Sequence, residues 1–183
     1  RNNQDQMTQA CIRHTLLIIL MLALQVLVFN HINFYGYATP LLGAYLLMVL
    51  PVKSPKLVKL LLGFLIGLVQ DMFANTPGMM AASLTLVALC QDWLFALLSG
   101  ASKEDYETEA FTPSISSLGL LPFLRYVFVG VLIQNVVFYM LENFSVFNLA
   151  DTFINIGGST LLTMLIIWAF DSIRSNFYKK KSQ

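Results

Sequence analysis

The sequence predicts an all-α membrane protein, a six-transmembrane-helix bundle that forms one integral membrane domain over residues 1–183. Three observations predict it. The chain is 57% hydrophobic and 11% charged, with a mean hydropathy of +0.69, which is too little charge to cover a globule of this size in water. Its apolar residues gather into six blocks close to the roughly 20 residues that a helix needs to cross hydrocarbon. All eleven Lys and Arg residues fall in alternate connections: Arg1 and Arg13; Lys53, Lys56 and Lys59; Lys103 and Arg125; Arg174 and Lys179 to Lys181. Such a bias sets orientation, so every basic group is expected on the cytoplasmic face, and both termini with it.

Taken in order, the first helix is expected over residues 12–29, entering at Arg13 and His14. It ends in Phe29, Asn30 and His31 rather than in small residues, so it reads as an anchor and not as a cleaved signal. The chain starts at Arg1 without Met, and residues ahead of it are expected. The second helix is expected over 35–52, with Asn33, Phe34, Tyr35 and Tyr37 as an interfacial cluster at its outer end. Pro40 falls in its first turn, where the missing N–H costs little, and Pro51 with Pro55 closes it. The remaining helices are expected over 57–73, 79–98, 118–141 and 147–170. The outer connections are short, so consecutive helices form antiparallel hairpins. The one long connection, 99–117, carries Glu104, Asp105, Glu107 and Glu109 around Tyr106. It reads either as a solvated acidic loop or as a docking segment for a cytoplasmic partner. Lys179 to Lys181 read as a membrane-surface anchor.

Polar residues inside spans carry a cost of at least a few kcal/mol and are the first functional candidates. Asp92 and Arg125 both lie roughly 10 Å inside the cytoplasmic face at 1.5 Å per helical residue. They are placed to form an ion pair between the fourth and fifth helices; alternatively Arg125 snorkels to the interface. Asp71 stands at the outer end of the third helix before Asn75, Thr76, Pro77 and Gly78. Asn75 and Thr76 suit a cap on the fourth helix, and Asp71 suits an acceptor for the free N–H groups of the turn. Gln25, Gln134, Asn135 and Asn155 lie in the outer half and suit a hydrogen-bond network, each link worth about 0.6–2 kcal/mol. Gly63 with Gly67, and Gly157 with Gly158, read as places of close helix packing.

Other chemistry finds little purchase. A net charge of +1 leaves no electrostatic footprint for nucleic acid. Neither GxxxxGK[ST], HExxH nor GxSxG occurs, and His14 and His31 fall at opposite faces, so no metal or cofactor is expected. Cys11 and Cys90 read as small apolar packing residues. With no nucleophile and base at one depth, catalysis is not expected.

The run from Gly63 through Gly67, Gln70 and Asp71 to Asn75, Thr76, Pro77, Gly78 and Met79 resembles the rod shape-determining MreD family in its Bacteroidetes form. Tyr37-Ala38-Thr39-Pro40, Leu50-Pro51 and Pro122-Phe123-Leu124-Arg125-Tyr126 fit the same family in the same order, so the resemblance extends from about Gln25 to Phe170. It implies a non-enzymatic inner-membrane scaffold of the cell-elongation machinery that makes peptidoglycan. The partners it implies are MreC and, through it, MreB, RodA and a penicillin-binding transpeptidase, besides membrane lipid. It also implies a fold similar to the substrate-binding component of energy-coupling-factor vitamin transporters, which keeps open the alternative of a small-molecule or lipid binder.

The orientation has a direct check. In a cysteine-free background, an impermeant maleimide applied from outside is expected to label a cysteine at Asn75 and not one at Ser102; the reverse pattern overturns the assignment.

Overall fold

A computed structural model describes residues 41–100, 111–142 and 149–181, with side chains described at 41–100, 111–142 and 152–172. The first expected helix with Gln25 and Cys11, the cluster at Asn33 to Tyr37, and the acidic residues Glu104 to Glu109 lie outside the described residues. Every regular element among the described residues is a helix: α1 Gly43–Met48, α2 Lys56–Ala74, α3 Met79–Leu98, α4 Ile115–Leu118, α5 Leu120–Glu142 and α6 Leu149–Lys181. Four stretches are long and apolar enough to cross a membrane: Lys56–Ala74, Met79–Leu98, Leu120–Glu142 and Thr152–Ser172. They pack in chain order as antiparallel neighbours, α2 on α3, α3 on α5 and α5 on α6. Short connections favour that arrangement.

The expected second span is not a long helix in its described part. Over 41–52 only Gly43–Met48 is helical, and all six of these residues are buried against α3, α5 and α2. The break has local causes. Pro51 disfavours helical geometry at Leu50, so the chain leaves the helix after Val49, and Leu50 N falls back on Leu47 O at 3.0 Å. The other expected boundaries hold for α2 and α3 and shift for the rest. Gly119, at φ 86°, separates the one-turn helix α4 from α5, a conformation that a side chain disfavours. The last helix continues to Lys181, past the expected end at 170, because no Gly or Pro interrupts the polar tail.

In lipid there is little hydrophobic gain from bringing helices together, so small residues that permit close packing matter most. Gly63 and Gly67 form such a seam. A Cβ at Gly63 would meet Leu84 O at 3.0 Å, and one at Gly67 would run into the backbone of Met80 and Ala81. Gly157 does not pack closely against any of the described residues: it is exposed, and among them a Cβ there meets nothing within 4 Å. The buried core between the seams centres on Leu47, Leu84, Val87, Phe123, Val127 and Ile167.

These contrasts separate the two glycines experimentally. Gly67→Ala is expected to force α2 and α3 apart and cost about 1–3 kcal/mol by overpacking. Gly157→Ala is expected to gain about 0.5–1 kcal/mol from helix propensity. Unfolding in detergent reads both.

Candidate functional site

One group of polar side chains in the bundle interior converges on α1 and its flanks. A buried chain segment with so few intrahelical bonds must find partners for its N–H and C=O groups elsewhere, and the four long helices α2, α3, α5 and α6 supply them for α1 and its flanks. At its start, Leu41 N donates to Thr163 Oγ1 on α6 (3.1 Å), and Ala44 N donates to Gln134 Oε1 on α5 (2.7 Å). At its end, Gln91 Nε2 on α3 donates to Leu47 O (2.9 Å). Lys59 Nζ on α2 donates to Val52 O (2.8 Å), and Val52 N donates to Phe111 O (3.2 Å). From its middle, Tyr45 Oη donates to Asp171 Oδ1 on α6 (3.1 Å). The second oxygen of Asp171 accepts from Ile115 N (2.8 Å), where Ser114 also caps α4 through a reciprocal bond with Ser117. One carboxylate thus joins α1, α4 and α6.

The expected pairing of Asp92 with Arg125 is not what the structure holds. Asp92 Oδ1 takes Lys59 Nζ at 2.5 Å, while Arg125 Nη2 donates to Leu98 O at 3.2 Å. Depth alone allowed both arrangements. Register decides: Lys59 lies on the inward stripe of α2 with Gly63, Ile66, Gly67 and Gln70, only 1% exposed, whereas Arg125 lies on the exposed side of α5. A buried ammonium requires a counter-charge, and the neighbouring helix offers Asp92. The Asp92 side chain is 44% exposed, so the pair straddles core and surface.

At the opposite end of α2, Asp71 performs the acceptor role expected of it. Its Oδ1 takes Thr76 Oγ1 (2.5 Å) and Met80 N (3.0 Å), and its Oδ2 takes Ala81 N (2.9 Å). Two of the free N–H groups at the start of α3, and the positive end of its dipole, therefore face one carboxylate. The expectation that Asn75 and Thr76 cap the fourth helix is corrected. Gly78 is the N-cap and offers no side chain, Asn75 closes α2 at φ 55°, and Thr76 donates its hydroxyl to Asp71. Pro77 and Gly78 complete the turn.

Gln134, Asn135 and Asn155 do not form one network. Gln134 serves α1, Asn135 Nδ2 donates to Thr160 Oγ1 (3.0 Å), and the buried Asn155 Oδ1 has no partner among the described residues. Consecutive residues on a helix point about 100° apart, which sends Gln134 and Asn135 to different neighbours. A further tie of this kind, Tyr139 Oη with Ser159 Oγ (2.7 Å), also joins α5 to α6. Sequence reasoning by depth missed Lys59, Gln91, Thr163 and Asp171 as interior residues. Helical periodicity carries the missing signal: Ser159, Thr163, Ile167 and Asp171 recur every fourth residue and all are buried. Among the described residues, no three His, Cys, Asp or Glu side chains are grouped to hold a metal.

A double-mutant cycle tests the revised pair. Asp92→Asn and Lys59→Met are expected to be coupled by about 1–2 kcal/mol, less than for a fully dry pair because Asp92 is half exposed. Asp92→Asn and Arg125→Gln are expected to add within about 0.5 kcal/mol. Urea or thermal unfolding in detergent gives both numbers.

Comparison with protein-family models, with curated proteins and with solved structures found no match.

Proposed function

We propose that the chain is a non-enzymatic scaffold subunit of the bacterial cell-elongation machinery, of the MreD type, seated in the inner membrane with both termini cytoplasmic. In this reading it binds MreC and acts through it beside MreB, RodA and a penicillin-binding transpeptidase. One observation carries the reading. Among the described residues, the three buried side chains of Lys, Arg, Asp or Glu type, Lys59, Asp71 and Asp171, all hold backbone: Lys59 holds Val52 O, Asp71 the amides of Met80 and Ala81, and Asp171 the amide of Ile115. Charges used this way fix how helices meet, which is the property a scaffold needs from its interior. The resemblance around Gly63 to Met79 supports the same reading, since it falls on the α2–α3 hairpin that Asp71 clasps.

A second reading, a small-molecule or lipid-binding component, is favoured by Gln70. Its amide is 1% exposed, with neither Nε2 nor Oε1 partnered among the described residues, and a buried amide left open in this way suits a polar ligand site.

Asp71 separates a scaffold from a chemical site. Asp71→Asn keeps one acceptor oxygen for the turn and is expected to cost about 1 kcal/mol, to support rod shape in complementation and to retain MreC on co-purification. Asp71→Leu removes every acceptor and is expected to lose both. An Asp71→Asn protein that is folded and MreC-bound yet fails to maintain shape would assign function to the charge itself and end the scaffold-only reading.

A further inference from the structure

The exposed side of the α2–α3 hairpin carries a groove of about 690 Å³. Its walls follow from helix periodicity. Leu60, Phe64 and Leu68 recur every fourth residue of α2 and line one side, while Ala82, Leu86 and Leu89 of α3 line the other. The polar side chain among the lining residues, Thr85, gives its hydroxyl to Ala81 O (2.7 Å), so the surface offered is hydrocarbon. From Gly78 at one end to Leu89 at the other, α3 rises about 16 Å. Spread over that length, the groove averages roughly 40 Å² in section, under half that of a helix about 10–12 Å across. A hydrocarbon chain seats in it and a whole helix does not. The end at Leu60 and Leu89 lies toward the basic side of the bundle. Lys56 stands one turn before Leu60 on the same ridge of α2 and is exposed, and Trp93 stands one turn after Leu89 on the same row of α3 and is 67% exposed. The first turn of α2 holds no acidic residue, and the one carboxylate of α3, Asp92, is taken by Lys59.

We propose that this groove holds one acyl chain of an anionic phospholipid from the leaflet on the lysine side, with the headgroup phosphate at Lys56 and the indole of Trp93 at headgroup level. Shape and charge each select one part of the ligand. Within a bilayer, a hydrocarbon chain gains little by leaving other hydrocarbon, so the groove sets where the chain lies. The charge of Lys56 then sets which lipid supplies it, since an anionic headgroup is drawn to a lysine at the membrane surface and a zwitterionic one is not. Helical side chains tilt toward the N-terminus of their helix, which carries the Lys56 ammonium away from the groove and toward the headgroups. Trp93 is the kind of residue that settles at that level. The site does not depend on the identity of any protein partner.

Quenching of tryptophan fluorescence by brominated phospholipids tests the site in the full chain, reconstituted in phosphatidylcholine vesicles. The chain has two tryptophans, Trp93 at the groove and Trp168, half exposed on α6. With Trp168→Phe, Trp93 is the sole reporter. Brominated phosphatidylglycerol is expected to compete for the site at Trp93 about fivefold better than brominated phosphatidylcholine, the worth of one lysine beside an anionic lipid. With Trp93→Phe, Trp168 reports the general lipid surface and is expected to show no preference. Lys56→Gln is expected to abolish the preference at Trp93, and Ala82→Phe, which fills the groove and leaves the charge in place, is expected to lower it. Leu161→Phe, a bulky change on the exposed face of α6, is expected to leave it intact. Equal preference at the two tryptophans overturns the proposal, as does a preference that survives Lys56→Gln or Ala82→Phe, or one that Leu161→Phe removes. A Trp93 that neither lipid quenches also overturns it, because a second copy or a partner helix then covers the groove.

Discussion

The structure depends on one constraint: a buried stretch of backbone that is only six residues helical must have its N–H and C=O groups answered. An unmet group in a dry interior costs about 1–3 kcal/mol, and α1 with its flanks presents several. The bundle answers them with side chains from α2, α3, α5 and α6, namely Lys59, Gln91, Gln134 and Thr163. Each of these residues would be unfavourable against lipid. Each becomes favourable once a backbone group stands opposite. The broken helix therefore dictates which faces of the long helices are polar, and the long helices in turn hold the break in place.

The α2–α3 hairpin illustrates a different balance. Gly63 and Gly67 bring the two backbones close, which places the start of α3 beside Asp71. The carboxylate then satisfies two amides that helix geometry leaves free, and Thr76 completes its coordination. Close packing and capping are thus one feature: a larger residue at Gly67 would displace the amides from their acceptor. At the other end Lys59 and Asp92 join the same two helices, so the hairpin is pinned near both ends by a charged group.

Asp171 extends this logic to the remaining elements. By accepting from Tyr45 and from Ile115 N, it fastens α1 and the entry into α4 to the last helix. The segment that follows the 101–110 connection is held from three sides, by Asp171, by Val52 N and by the ring of Phe95 against Phe111.

The sequence by itself determined the all-helical class, the bounds of α2 and α3, and the acceptor role of Asp71, because these rest on apolar length, on turn residues and on local hydrogen bonding. Lys59, Thr163 and Asp171 were legible as interior residues through their four-residue recurrence with buried neighbours, a pattern that ordering by depth does not register. Only the tertiary structure decided that the described stretch after Pro40 is helical over just six residues and buried inside the bundle, since an apolar run such as Leu41 to Leu50 reads alike whether it faces lipid or protein. Likewise only packing decided that Asp92 belongs to Lys59 and not to Arg125. Partner choice between charges at one depth depends on how helices are rotated about their axes, and that rotation is set by the small-residue seam between α2 and α3 together with the side-chain ties around α1.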